Sequence, residues 1–186
     1  MSMVTVQPRI RLPRIRSSRS IRERGFTLVE LMTTVSVMAI ALAIATPSLT
    51  GFVRSSKVRS AQSELVSSMM LARSEATKRG VPVGMAATAP STGNEFGAGW
   101  KVWVDDNANG VIDSGEVLVR DYPGYEPSSV VLGTTGNVTL VSFAPTGFAT
   151  ASVTFKVCGT SDATKGYRVV LQRVGLADVS EGITCP

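Results

Sequence analysis

The longest uncharged stretch of this chain runs from Leu31 to Val53 and contains 23 residues without Asp, Glu, Lys or Arg. A helix of that length crosses the hydrocarbon core of a bilayer, which is about 30 Å thick. The apolar part of a secretory signal peptide has only about 7–15 residues, and this stretch is longer. The sequence therefore predicts a membrane helix, and Pro47 predicts a kink in it because Pro removes one helical hydrogen bond.

Basic residues are concentrated on the N-terminal side of this stretch. Residues 1–25 carry seven Arg and one Glu. Because positive residues that flank a membrane helix stay in the cytoplasm, the N-terminus is predicted to be cytoplasmic and the remainder to be exported. Without residues 1–25 the chain has 12 basic and 13 acidic residues, and from Gly80 onward it has 6 and 10. The pI near 9.6 is thus no argument that the exported part binds nucleic acid.

After the uncharged stretch the pattern changes twice. Residues 54–79 predict an amphipathic half-helix, and Gly80 and Pro82, after two basic residues, predict its end. Its apolar positions recur at steps of three or four: Val58, Ala61, Leu65, Met69, Ala72 and Ala76. From Gly80 onward short β-prone runs predict six strands: Val81–Ala87, Trp100–Val104, Glu116–Asp121, Val138–Phe143, Val153–Val157 and Tyr167–Arg173.

These patterns predict an α+β fold. A long N-terminal helix, with a membrane half (residues 26–53) and an amphipathic half (residues 54–79), packs on a small antiparallel β-sheet head (residues 80–186). The apolar stripe of the half-helix is expected to cover the sheet. The chain contains no His, which removes the commonest general base and metal ligand. With no nucleophile–base pair, Cys/His metal cluster or phosphate-binding loop in the sequence, we expect no enzymatic activity.

The only two cysteines, Cys158 and Cys185, both lie in the part that is predicted to be exported. An even number of cysteines in an oxidising compartment favours a disulfide, the alternative being two buried free thiols. The bond would close a loop of 28 residues, and in the chain-entropy model it contributes about 3–4 kcal/mol.

The segment Arg24-Gly25-Phe26-Thr27-Leu28-Val29-Glu30-Leu31 stands where the basic region meets the apolar helix. It resembles the processing site of type IV pilins and pseudopilins. The resemblance implies that a prepilin peptidase removes residues 1–25 as a leader, cutting between Gly25 and Phe26, and methylates the new amine of Phe26. Pro47 then lies at a position where this family commonly carries Pro.

Glu30 is the one acidic residue at the start of the apolar helix. A carboxylate there costs roughly 2.5–3.5 kcal/mol on insertion scales and needs a partner. In the filament that the resemblance implies, the α-amine of Phe26 on a neighbouring subunit supplies this partner and favours the correct axial register. The alternative is that Glu30 lies at the headgroup boundary, where its charge costs little.

The head resembles the GspH/FimT-type minor pilins in Trp100–Asn107, in Phe143–Phe148 and in Cys158 with a second Cys near the end. This resemblance implies a subunit at or near the tip of a type IV pilus or a type II secretion pseudopilus. The implied partners are the prepilin peptidase, other pilins or pseudopilins and the inner-membrane assembly platform. The protein is then expected in the bacterial inner membrane, with its head in the periplasm, and afterwards in the filament.

Some FimT-type proteins bind DNA through a Gly-Arg-x-Arg segment that follows the last long strand. Here Gly175 matches, but Leu176 and Asp178 stand in place of the two arginines, which removes one phosphate contact and adds repulsion. DNA binding is therefore the weaker alternative. The cations that remain for it, also typical of a solvated sheet face, are Lys165, Arg168 and Arg173.

Residues 105–116 match the spacing of an EF-hand calcium loop. Gly110 takes the position of the sharp turn, and the candidate Ca²⁺ ligands are Asp105, Asn107, Asn109, the Val111 carbonyl, Asp113 and Glu116. The flanking segments are predicted strands rather than helices, however. The same Asp, Asn and Gly content also suits a long hairpin turn that is held by side-chain-to-backbone hydrogen bonds. Both interpretations, with Ca²⁺ or without a cofactor, stay open at the sequence level.

Overall fold

The computed structural model describes residues 25–126, 129–160 and 166–185, and for residues 45–50 only the helical backbone. The predicted leader therefore lies outside the described residues, apart from Gly25. The chain divides between Ala43 and Ile44 into two compact units. One helix, α1, runs from Leu28 to Arg79 through the position of Pro47.

Helix α1 ends where the sequence predicts. Gly80 adopts a left-handed conformation (φ +71°), and its N–H donates to the Ala76 carbonyl at 3.0 Å. Gly is the residue that takes this conformation without steric cost, which makes it the preferred helix terminator. In the last turn Glu75 accepts a hydrogen bond from Arg79 Nε at 2.6 Å. This bond, assisted by Lys78, holds the pKa of Glu75 below its ordinary value.

In its described residues the head contains eight strands in two antiparallel sheets, whereas the sequence predicted six strands in a single sheet. The first sheet has the order β3-β2-β1-β5 and the second the order β4-β6-β7-β8. The strands are β1 Val83–Ala87, β2 Gly99–Val104, β3 Leu118–Pro123, β4 Val130–Thr134, β5 Leu140–Phe143, β6 Val153–Gly159, β7 Gly166–Leu171 and β8 Ala177–Ile183.

Two of these strands, β4 and β8, were not predicted from the sequence. Strand β4 contains Gly133, and β8 contains Asp178, Ser180, Glu181 and Gly182, residue types that are depleted in strands. Both are edge strands, and β8 is exposed over most of its length. Strand β8 buries little of its surface and therefore lacks the apolar alternation by which strands are recognised in a sequence.

The predicted apolar stripe of α1 covers the head. Its six residues are buried, and they share one core with side chains from both sheets. The largest core side chains include Trp100 on β2, Phe155 on β6 and Phe96 in the loop before β2. The rings of Phe96 and Phe155 meet edge to face at 5.3 Å. The amphipathic half of the helix therefore covers both sheets, whereas the sequence predicted that it covers a single sheet.

Candidate functional site

The residues of the predicted processing site lie at the start of α1. Gly25, Phe26 and Thr27 precede the helix, and the Phe26 ring is 79% exposed. The Thr27 hydroxyl oxygen accepts a hydrogen bond from the Glu30 N–H at 3.2 Å. Thr27 is therefore the N-cap of α1, and Glu30 is the third residue of the first turn, the two defining positions of a capping box. Glu30 is exposed.

Within the described residues, the fold leaves space for a side chain at position 25. Among the described residues, no heavy atom lies within 4 Å of a Cβ atom built at Gly25. A larger residue could be accommodated at position 25 in this structure.

The first turns of α1 expose many apolar side chains. They include Leu28, Val29, Leu31, Met32, Val35, Val37, Met38 and Ile40. In the ranges that the structure describes, no helix is both long enough and apolar enough to span a membrane.

The loop at residues 105–116, between β2 and β3, is held by its own side chains. The two carboxylate oxygens of Asp105 accept hydrogen bonds from the N–H groups of Asn109 and Gly110, at 3.0 and 2.9 Å. The two carboxylate oxygens of Glu116 accept hydrogen bonds from the N–H groups of Asp106 and Asp113, at 3.1 and 2.9 Å. The first and last acidic residues of the loop therefore act as the hairpin interpretation requires, by bonding to the loop backbone.

The middle of the loop follows the same arrangement. Asp113 Oδ2 accepts hydrogen bonds from the side-chain amides of Asn107 and Asn109 at 2.8 and 2.6 Å. These two bonds, the Asn107 bond first, hold the pKa of Asp113 below its ordinary value. The Asn109 side-chain oxygen accepts from the Val111 N–H at 2.7 Å. Within the described residues, no group of three or more His, Cys, Asp or Glu is placed to hold a metal ion.

Two of the three cations named for DNA binding, Arg168 and Arg173, lie within the described residues. Lys165 lies outside the described residues. Arg168 is exposed on β7, opposite Lys156 of β6 and Ser180 of β8, and Arg173 is exposed in the turn between β7 and β8. In place of the second arginine, Asp178 accepts a hydrogen bond from the Gln172 side chain. The geometry adds no argument for DNA binding.

Cys158 and Cys185 form the predicted disulfide, with Cα atoms 5.8 Å apart. The bond crosses strand β7 at Gly166, where a Cβ atom would lie 2.4 Å from Cys185 Sγ. Ile183 and Val131 complete this small buried cluster. The disulfide ties the end of the chain, just after β8, to strand β6.

Three polar side chains, those of Glu95, Asn94 and Tyr125, make buried or partly buried hydrogen bonds that the sequence analysis did not predict. Glu95, 1% exposed, accepts from the N–H groups of Gly93 and Thr134, both at 2.7 Å, although no local pattern marks it as buried. Asn94 Oδ1 accepts from the Leu132 N–H at 2.8 Å. The Tyr125 hydroxyl donates to the Glu64 carboxylate on α1, and burial, followed by this bond, raises the Tyr125 pKa.

Comparison with known proteins adds two family matches. Residues 61–175, more than half of the chain, match the family described as "Type II transport protein GspH". Residues 21–46 match the family described as "Prokaryotic N-terminal methylation motif". The second match spans the Gly25–Phe26 junction and Glu30. No curated protein sequence matches the chain significantly.

Two crystal structures of the type IV minor pilin FimU of Pseudomonas aeruginosa (strain PAO1) resemble this chain. They superpose with TM-scores of 0.57 and 0.55 at 19% and 20% sequence identity. The alignments cover 70% and 69% of this chain and 96% and 99% of the FimU chains. At this identity the likeness concerns the fold, a helix packed on antiparallel sheets.

The matched families are structural subunits rather than enzymes, and the methylation motif implies processing by a prepilin peptidase and assembly with other pilins. The DNA-binding alternative is not favoured. The chain therefore belongs to the GspH family and is a minor pilin or pseudopilin subunit.

Proposed function

We propose that this protein is a minor subunit at or near the tip of a type IV pilus or a type II secretion pseudopilus. The observation that carries the proposal is the methylation motif at residues 21–46, which overlaps the start of a helix of 52 residues whose far half covers the head. In this proposal the start of α1 carries the processing site, and the second half of α1 covers the head. The N-terminal part of α1 is available for assembly, because its apolar side chains are exposed.

This proposal assigns a role to each segment of the chain. Residues 1–25 are a leader that is removed, residues 26–53 anchor the precursor and later pack in the filament, residues 54–79 support the head, and residues 80–186 form the periplasmic head. Before assembly the precursor crosses the inner membrane once. The seven Arg of the leader keep its N-terminus in the cytoplasm.

Assembly then joins charged groups on neighbouring subunits. The amine that cleavage creates on Phe26 pairs with the Glu30 carboxylate of the next subunit, in surroundings made of apolar helices. Pairing is needed because each charge by itself is costly there. The prepilin peptidase, the other pilins or pseudopilins and the assembly platform of the inner membrane are the partners of this pathway.

Mass spectrometry of the mature protein tests the processing step. We expect the chain to begin with N-methyl-Phe at position 26 and to lack residues 1–25. Gly25→Leu should leave the leader attached, because the structure tolerates a side chain at position 25 but the peptidase motif requires Gly.

Gly51→Ala is the matched control for this experiment. Position 51 also has no heavy atom within 4 Å of a built Cβ, and it lies inside α1. The substitution should leave cleavage unchanged and stabilise the helix by about 0.5–1 kcal/mol. An intact leader on wild-type protein in filaments would contradict the proposal.

For the loop at residues 105–116 we propose the role of a structural turn without calcium. Its carboxylates already bond to the loop itself, so we expect the same melting curve of the mature protein in saturating Ca²⁺ and in chelator. A calcium site would instead stabilise the fold by roughly 2.7 kcal/mol at a hundredfold excess of free Ca²⁺ over Kd. In that case Glu116→Gln would abolish the shift, because the last residue of such a loop is the bidentate ligand.

A second pair of variants distinguishes the turn from the metal site without calcium. Gly110 has φ +75°, and a Cβ atom there would lie 2.8 Å from Leu140 Cδ2. Gly110→Ala should therefore destabilise the protein by about 1–2 kcal/mol through the left-handed backbone alone, and by more than Glu116→Gln does. A larger effect of Glu116→Gln, together with a calcium-dependent melting temperature, would refute the structural turn.

A further inference from the structure

The two sheets of the head have four edges. Within the described residues, hydrogen bonds cover two of these edges, and a third edge, β3, ends in Pro. On β4, the Leu132 N–H and carbonyl bond to Asn94 Oδ1 and to the Phe96 N–H, at 2.8 and 3.0 Å. On β5, the Ser142 carbonyl accepts from the Thr150 N–H at 2.9 Å. Strand β3 ends in Pro123 and carries charged residues, both of which discourage pairing.

The fourth edge, strand β8, is open. The Gln172 N–H donates to the Leu176 carbonyl at 2.8 Å, and β7 and β8 stay in register from Leu171–Ala177 to Tyr167–Glu181, after which a bulge shifts the register. Because bonding alternates along an antiparallel pair, the backbone groups of Ala177, Val179 and Glu181 point away from β7. In the described part of the chain these outward groups have no hydrogen-bond partner.

The side chains of β8 add a chemical signature to this edge. Val179 lies opposite Val169, which is fully buried, yet Val179 is 44% exposed. A further strand beside β8 would cover it. The charged residues of β8 are both acidic, Asp178 and Glu181, and no Lys protects the edge. An added strand with Lys or Arg opposite this edge would form favourable cross-strand charge pairs.

The edge is also held rigid at both ends. Two residues beyond β8, Cys185 is bonded to Cys158 on β6. At the other end the turn between β7 and β8 is closed by the Gly175 N–H, which donates to the Gln172 carbonyl at 2.9 Å. A pre-organised edge loses little conformational entropy when it binds a strand.

We propose that β8 is a docking edge that accepts an extended segment of a neighbouring filament subunit as an additional strand. Backbone hydrogen bonds to Ala177, Val179 and Glu181 supply the affinity. The segment carries an apolar side chain that covers Val179 and a basic side chain near Asp178 or Glu181. This inference rests on the proposed function for the identity of the partner, because a filament brings subunit heads side by side.

The test uses full-length protein in cells that assemble the filament. Val179→Pro removes one outward N–H, as Pro on an edge strand does without breaking the inner ladder, and Val179→Lys keeps the backbone but places a positive charge on the edge. Both should lower incorporation into filaments about tenfold or more, because Val179→Pro removes a backbone donor to the docked strand and Val179→Lys repels its basic side chain. Val179→Thr, which keeps the N–H and the strand propensity, should incorporate within about twofold of wild type.

Photo-crosslinking identifies the occupant. A benzophenone side chain at position 181 should crosslink to an extended segment of a different subunit, and this product should disappear in the Val179→Lys protein. A product that joins two copies of this chain, or no product from assembled filaments, overturns the inference. So does wild-type incorporation of Val179→Lys. If wild type and Val179→Thr also fail to enter filaments, the proposed function itself is wrong.

Discussion

Replacing Glu30 by Val should leave the precursor inserted and cleaved but should reduce incorporation into filaments by about a hundredfold or more. The side chain at position 30 becomes apolar, so anchoring does not suffer. In the filament, however, the Phe26 amine of the adjacent subunit loses its partner. An uncompensated charge in buried surroundings costs about 3–5 kcal/mol, and each 1.4 kcal/mol is a factor of ten. Quantitative immunoblots of sheared filaments against whole cells measure the effect.

Two further variants separate charge pairing from helix capping, the other role that the structure allows for Glu30. Gln serves as well as Glu at the third position of a capping box. Glu30→Gln should therefore be wild-type in assembly if Glu30 only caps the helix, and as defective as Glu30→Val if its charge pairs with Phe26. Thr33→Val, one turn further along α1, removes a hydroxyl that donates to the Glu30 carbonyl, and it should assemble normally.

Replacing Glu95 by Gln should destabilise the folded head by about 2–3 kcal/mol. The two carboxylate oxygens accept hydrogen bonds from the N–H groups of Gly93 and Thr134. In Gln, an NH₂ group replaces one of these oxygens, so one of the two N–H donors loses its acceptor. A buried donor left without an acceptor costs about 1–3 kcal/mol. Urea unfolding of the mature protein in detergent measures the change. Glu126→Gln, at an exposed carboxylate, is the control and should stay within about 0.5 kcal/mol of wild type.

The pH dependence of unfolding gives an independent check on Glu95. Burial alone would raise its pKa, but the donors from Thr134 and Gly93 outweigh burial, and the pKa lies below the ordinary value of 4.5. A lowered pKa means that the folded state favours the carboxylate. Its contribution to stability is complete above pH 4.5 and is lost as the pH falls through the folded pKa. The stability difference between wild type and Glu95→Gln should shrink accordingly in acid, and a constant difference would contradict this role.

Much of this architecture could be predicted from short stretches of sequence. The processing junction is contiguous, the stripe from Val58 to Ala76 repeats with the period of a helix, and Gly80 with its flanking residues marks the helix end. Each of these signals depends on residues within a few positions of one another. Local backbone geometry turns such spacing directly into a helix face or a helix terminus.

The division into two sheets, the strands β4 and β8, and the burial of Glu95 could not be predicted in this way. Glu95 contacts Thr134 across 39 positions of the chain, and β8 is a strand because β7 offers it a ladder, although its own composition is poor for a strand. The 105–116 loop shows the same limit. Its side chains suit both a metal and a turn by spacing, and their observed hydrogen bonds depend on β2 and β3 holding the two ends of the loop together. Contacts between distant segments are selected by the packing of the whole head, and no local period of the sequence records them.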